Sequence, residues 1–95
     1  MIATTTFSTT NASRYLGTLC KHFGHKVPVE FDALQGRIDL PFGQCRLKAG
    51  DTALDLTVTA EDRPALDRLT EVIGSHLERF AFRENPQLDW QIPAA

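Results

Sequence analysis

Cysteine is scarce in this chain, with only Cys20 and Cys45 present, which is too few for a disulfide framework. The two stand apart, each in phase with apolar neighbours, and read as reduced, buried thiols that act as small hydrophobes. Long apolar runs are missing as well. None approaches the roughly 20 residues that a bilayer-crossing helix requires, so no membrane span is expected. The chain does not open on a charged stretch followed by an apolar run, so no secretory signal is expected. The cytoplasm is then the expected compartment, and the sequon-like Asn11-Ala12-Ser13 has no role there. There is no basic excess either. Ten Lys and Arg stand against twelve Asp and Glu, for a formal net charge of −2. That argues against a general nucleic-acid binder, which normally shows a basic stripe. No glycine-rich phosphate loop, paired-carboxylate motif or nucleophile elbow occurs, and there are no repeats, low-complexity segments or linkers.

The 42% hydrophobic content is that of a globular chain and is too high for a disordered one. Ninety-five residues make one domain, spanning 1–95, with a modest core. Residues 2–9, rich in β-branched threonine, favour a strand. Thr10 or Asn11 offers an N-cap oxygen for a helix. In that helix Tyr15, Leu16, Leu19, Cys20 and Phe23 form one apolar stripe. Gly24 is expected to close it in the left-handed conformation. Lys21, His22, His25 and Lys26 gather at this end, where positive charge suits the helix dipole.

Four alternating segments follow. Val27, Val29 and Phe31 make the first; Ile38, Leu40 and Phe42 the second; Cys45, Leu47 and Ala49 the third; Leu54, Leu56, Val58 and Ala60 the fourth. Turns near Gln35-Gly36, at Gly43 and at Gly50-Asp51 separate them. Period-two alternation in four successive segments indicates an antiparallel meander with one buried face. Pro28 and Pro41, which lack an amide donor, belong at strand ends or edges. A second helix begins around Asp62, with Pro64 in its first turn. Leu66, Leu69, Ile73, Leu77 and Phe80 mark its buried stripe, and His76 falls inside it. Gly74 leaves room for something to pack closely. The helix should end before Pro86. Leu88-Asp89-Trp90 is then a short strand or a tail over the core. The expected fold is α+β in two layers, ordered β-α-β-β-β-β-α, with both helices on the apolar face of an antiparallel sheet. That order is also the one of TATA-binding-protein-like folds, an analogy without functional weight.

Two histidine-bearing runs carry a family resemblance. Arg14-Tyr15-Leu16 with Leu19-Cys20-Lys21-His22-Phe23-Gly24-His25-Lys26 resembles the first signature of the bacterial domain of unknown function 2218. Gly36-Arg37-Ile38, Gly43-Gln44-Cys45, the run His76-Leu77-Glu78-Arg79-Phe80-Ala81-Phe82-Arg83-Glu84 and Trp90 match its later pieces. Gly24 departs from the pattern, which has alanine after the aromatic residue. The resemblance spans nearly the whole chain and implies no established activity. Similar domains lie beside, or are attached to, siderophore-interacting flavoproteins, which reduce ferric siderophores. The resemblance therefore implies a link to iron uptake, with such a flavoprotein or a ferric siderophore as partner.

Three sites are open to the residues. Cys20-x-His22-x-x-His25, with Cys45 and His76, supplies enough thiol and imidazole donors to ligate iron, another transition metal or haem. The spacing matches no standard zinc signature, and a hydrogen-bonded boundary histidine accounts for His76 equally well. No other cofactor is expected. Arg79, Arg83 and Glu84, near Phe80 and Phe82, can join Lys21, His22, His25 and Lys26 in a basic, aromatic-edged pocket. An anion such as a carboxylate- or catecholate-bearing siderophore suits it, because arginine binds planar carboxylates bidentately. The plain alternative is a solvated helix end, with Arg79 and Arg83 paired to acids and Phe82 packed on Trp90. Catalysis has the least support, since Glu78 lies two residues from His76 and so on another helix face. The expectation is a small binding or accessory domain tied to siderophore or iron handling. A structural or interaction module follows it, as a homodimer through a sheet edge or the polar sheet face. A metal- or haem-binding protein is the third reading.

Overall fold

The computed structural model describes residues 1–93. β1 (Ile2–Ser8) leads into α1 (Ala12–Phe23). β2 (Val29–Phe31), β3 (Gln35–Leu40), β4 (Gly43–Ala49) and β5 (Ala53–Thr59) follow, then α2 (Arg63–Phe80) and a 3-10 turn over Phe82–Glu84. The sheet is antiparallel, in the order β1-β5-β4-β3-β2. β2 to β5 form the meander that the alternation implies. β1 pairs with β5 along its whole length, from Ile2 opposite Thr59 to Ser8 opposite Ala53.

Both helices cover one face. Ala3 and Phe7 of β1, Ile38 of β3, Cys45 and Leu47 of β4, and Leu54, Leu56 and Val58 of β5 point inward. They join Leu16, Leu19, Cys20 and Phe23 of α1 and Leu66, Leu69, Ile73 and Leu77 of α2 in one hydrophobic cluster. The outer face is polar and self-paired. Asp39 accepts from Arg37 and from Gln44, and Asp55 accepts from Thr6.

The helix ends differ from expectation in instructive ways. Asn11 occupies the N-cap position of α1 without a side-chain cap. Its amide side chain donates to Glu84, and its backbone N–H goes to the Thr9 hydroxyl. Gly24 follows α1 in the right-handed conformation, φ −62°. Its lack of a side chain serves close packing instead: a Cβ there would sit 3.0 Å from both the Cys20 carbonyl and Val29 Cγ2. Asp62 caps α2 as the sequence suggests, accepting from the Ala65 N–H at 2.9 Å. After the 3-10 turn the chain runs back as a tail. Leu88 and Trp90 pack on the core beside Gly74, and Gln91 pairs with Thr4 of β1. No helix among the described residues is long and apolar enough to cross a membrane.

Candidate functional site

The two helices pack against each other over the sheet, so the last turn of α1 meets the second half of α2. Here His22 and His76 come together, with ring centroids 4.9 Å apart. Two phenylalanines frame them. The Phe23 ring lies 4.9 Å from that of His76, and the Phe80 ring 5.4 Å from that of His22. His76, which the helical spacing puts inside the apolar stripe, is only half-buried. Its Nδ1 lies 2.6 Å from the Val72 carbonyl oxygen. A carbonyl only accepts, so Nδ1 carries the proton and Nε2 keeps its lone pair. His22 is exposed. Desolvation of one side of its ring holds its pKa below the usual imidazole value, aided by His76, His25, Lys26 and Arg79.

The other metal candidates do not join this pair. Cys20 is fully buried, and its sulfur lies against Gly36 of β3. Burial pushes its thiol up to about 11, and burial together with Cys20 pushes Cys45 higher still. Both are inward-facing hydrophobes, because a stripe residue on α1 and an alternate residue on β4 must face each other across the two layers. His25 sits exposed in the turn beyond α1. Among the described residues, no group of three or more His, Cys, Asp or Glu side chains has the geometry to hold a metal. A set of three or more drawn from Cys20, His22, His25 and His76 is therefore not assembled.

Toward the start of α1 the space between the helices opens into a groove of about 450 Å³, lined by Arg14, Tyr15, Thr18, Phe80, Phe82 and Arg83. Phe80 thus borders both the groove and the histidine pair. Phe82 is 67% exposed, so it forms the rim instead of packing into the core, and the Arg83 guanidinium stands over its ring at 5.7 Å. The ion pairs among the described residues are Arg37 with Glu30 and Asp39, and Arg63 with Asp67. None involves Arg14, Arg79 or Arg83. A larger hollow of about 750 Å³ lies at the start of α2, but its lining, from Leu40 to Gln44 and Thr59 to Asp62 with Ala65, holds no cation, histidine or cysteine.

Arg83 lines this groove without Lys21, His22, His25, Lys26 or Arg79, which the sequence had grouped with it, and Arg14, Tyr15 and Thr18 are groove residues that the sequence analysis missed. Their signal was present: α1 carries no acid, and Arg14 and Thr18 share a face one turn apart, off the buried stripe. Glu84 belongs elsewhere. It accepts from Thr9 Oγ1 at 2.6 Å, from Asn11 Nδ2 at 3.2 Å and from the Tyr15 hydroxyl. These bonds, with Thr9 the strongest contributor, hold its pKa below the usual carboxylate value. The same bond raises the Tyr15 hydroxyl. His25 and Lys26 lie past the helix end and do not line the groove. Arg79 does not line the groove, and its charge is among the smaller influences that lower the His22 pKa.

A family model described as "Uncharacterized protein conserved in bacteria (DUF2218)" matches residues 4–91. The NMR structure of PA4090 from Pseudomonas aeruginosa is similar, with a TM-score of 0.83 and 32% sequence identity, over 99% of this chain and 98% of that one. No curated protein matches the chain.

Proposed function

The chain belongs to DUF2218, a family of uncharacterized proteins conserved in bacteria, and on that premise we propose that it is a small binding domain for an anionic ligand held between α1 and α2. The observation that carries this reading is the groove itself. Arg14 and Arg83 stand on its two walls without carboxylate partners, and Tyr15, Phe80 and Phe82 supply the aromatic surface between them. In a chain of net negative charge, two guanidinium groups lining one cleft without an ion pair can donate to a planar anion. The aromatic walls favour a ligand with a flat ring. A carboxylate- or catecholate-bearing chelator combines both features, and on this reading the domain serves siderophore or iron handling, with a siderophore-interacting flavoprotein as the partner we propose.

The test is a titration of the full chain with citrate, then with a catecholate siderophore in iron-free and ferric forms, followed by calorimetry and amide chemical shifts. Binding should move the resonances of Arg14, Tyr15, Thr18, Phe80 and Arg83. Arg14→Ala or Arg83→Ala should weaken it about tenfold each, the usual scale for one charge-assisted contact. Shifts confined to other faces, or affinities indifferent to both arginines, would remove the groove as the site.

A further inference from the structure

Anion binding in the groove makes no use of the ring nitrogens of His22 and His76. Their rings lie close enough to act as a ligand pair. When an imidazole binds a metal, its other nitrogen is almost always held by a carbonyl or carboxylate, which fixes the tautomer and aims the ligating atom. His76 already has this support, through Nδ1–H donated to the Val72 carbonyl. The separation also fits. With a metal–nitrogen bond of about 2.0–2.1 Å, a ring centroid lies roughly 3.2 Å from the metal. Two rings on one ion are then about 4.5 Å apart at a right angle and about 5.2 Å apart at the tetrahedral angle. The observed 4.9 Å falls between these. Phe23 and Phe80 wall the pair on either side, which limits the freedom of both rings.

We propose that His22 and His76 form a two-histidine site for a borderline divalent transition ion, Zn²⁺, Ni²⁺ or Cu²⁺. Neutral imidazole suits these ions. The protein supplies two cis ligands, since no third His, Cys, Asp or Glu among the described residues joins them. The remaining positions belong to water or to an exogenous donor. The basic side chains around the pair are Lys26 and Arg79, with the His25 ring beside them. The two charges oppose the cation itself, so binding is modest and Cu²⁺ should lead the series.

The site does not depend on the anion groove, and the two fail separately: Arg14→Ala and Arg83→Ala should leave metal affinity unchanged. The experiment titrates untagged full-length protein with Zn²⁺ by NMR and calorimetry, and with Cu²⁺ by electron paramagnetic resonance. One ion per chain should bind, with shifts centred on His22 and His76. His22→Ala and His76→Gln should each weaken binding at least tenfold, and His25→Ala should leave it within about twofold. Affinity should fall steeply from about pH 7.5 to about pH 5.5, because the ion must compete with protons for both rings. If the variants unfold, the wild-type Cu²⁺ spectrum decides alone, because it should show two equatorial imidazole nitrogens. Binding indifferent to His22 and His76, binding lost in His25→Ala alone, or a Cu²⁺ spectrum with fewer than two imidazoles would overturn the proposal.

Discussion

At the scale of single residues, Glu84 shows how far position in the sequence misleads about position in space. Its neighbours Arg79 and Arg83 suggest a part in a charged pocket. The chain instead turns it toward the start of α1, where Thr9, Asn11 and Tyr15 all donate to it. Residue type announces an acceptor here, but donors 69 to 75 residues away cannot be read from local pattern. The bonds tie the end of α2 to the head of α1 and occupy the Glu84 carboxylate with three donors. Glu84→Gln should therefore lower the melting temperature at neutral pH, by a few degrees at most because the carboxylate is exposed and well screened. The pH dependence has a definite sign. The folded-state pKa is depressed, so the carboxylate's contribution is fully present above the unfolded value of about 4.3 and is lost as pH falls through the lower folded value. Melting curves of wild type and Glu84→Gln should be well separated at pH 7 and converge in acid. A gap that persists or widens in acid would contradict this role.

At the scale of elements, alternation and helical stripes reveal each strand and helix, because burying one face forces the pattern on the sequence. Strand partners are less legible. Nothing in the threonines of β1 names β5 as its neighbour, since period two fixes which side chains face inward and not which edge they join. The β3–β4 hairpin shows where local and long-range demands meet. Gly43 begins β4 opposite Leu40, with φ +156°. A side chain there would collide with Leu69 of α2 and with the Thr59 carbonyl of β5. The sequence marks Gly43 as a turn, and packing leaves no room for a side chain there under Leu69 of α2. Leu69 is fully buried and cannot move aside without opening the core. Gly43→Ala should cost about 1–3 kcal/mol, from backbone strain and displaced packing together. In a urea titration that cost appears as a lower midpoint with an unchanged slope. A wild-type midpoint would show that α2 can shift without loss.

At the scale of the whole molecule, the candidate site is legible in its parts and not in its assembly. The sequence offers His22, His76, Arg83 and two phenylalanines. It does not show that antiparallel helices set His22 beside His76 and Arg14 across from Arg83, because that register comes from packing on a shared sheet. The same holds for the sheet's edges, which decide whether the molecule stays separate from its copies. An open edge is a template for pairing with another chain. β2 closes one side with only three residues, preceded by Pro28. β1 is long, and the returning tail guards it: Gln91 N–H donates to the Thr4 carbonyl at 2.7 Å, and Thr4 N–H donates to the Gln91 carbonyl at 2.9 Å. Leu88 and Trp90 hold that tail against the core. Ending the chain after Asn85 should therefore do two things at once. It strips about 2–4 kcal/mol of apolar burial by Leu88 and Trp90, a large part of the stability of a domain this small. It also bares the β1 edge, so the shortened protein should self-associate on size-exclusion chromatography at concentrations where the full chain does not. Trp90→Ala in the full chain separates the two effects, because it removes packing while Gln91 can still pair with Thr4. That variant should melt earlier yet elute unchanged. If the shortened chain melts and elutes like the full one, the tail neither builds the core nor guards the edge.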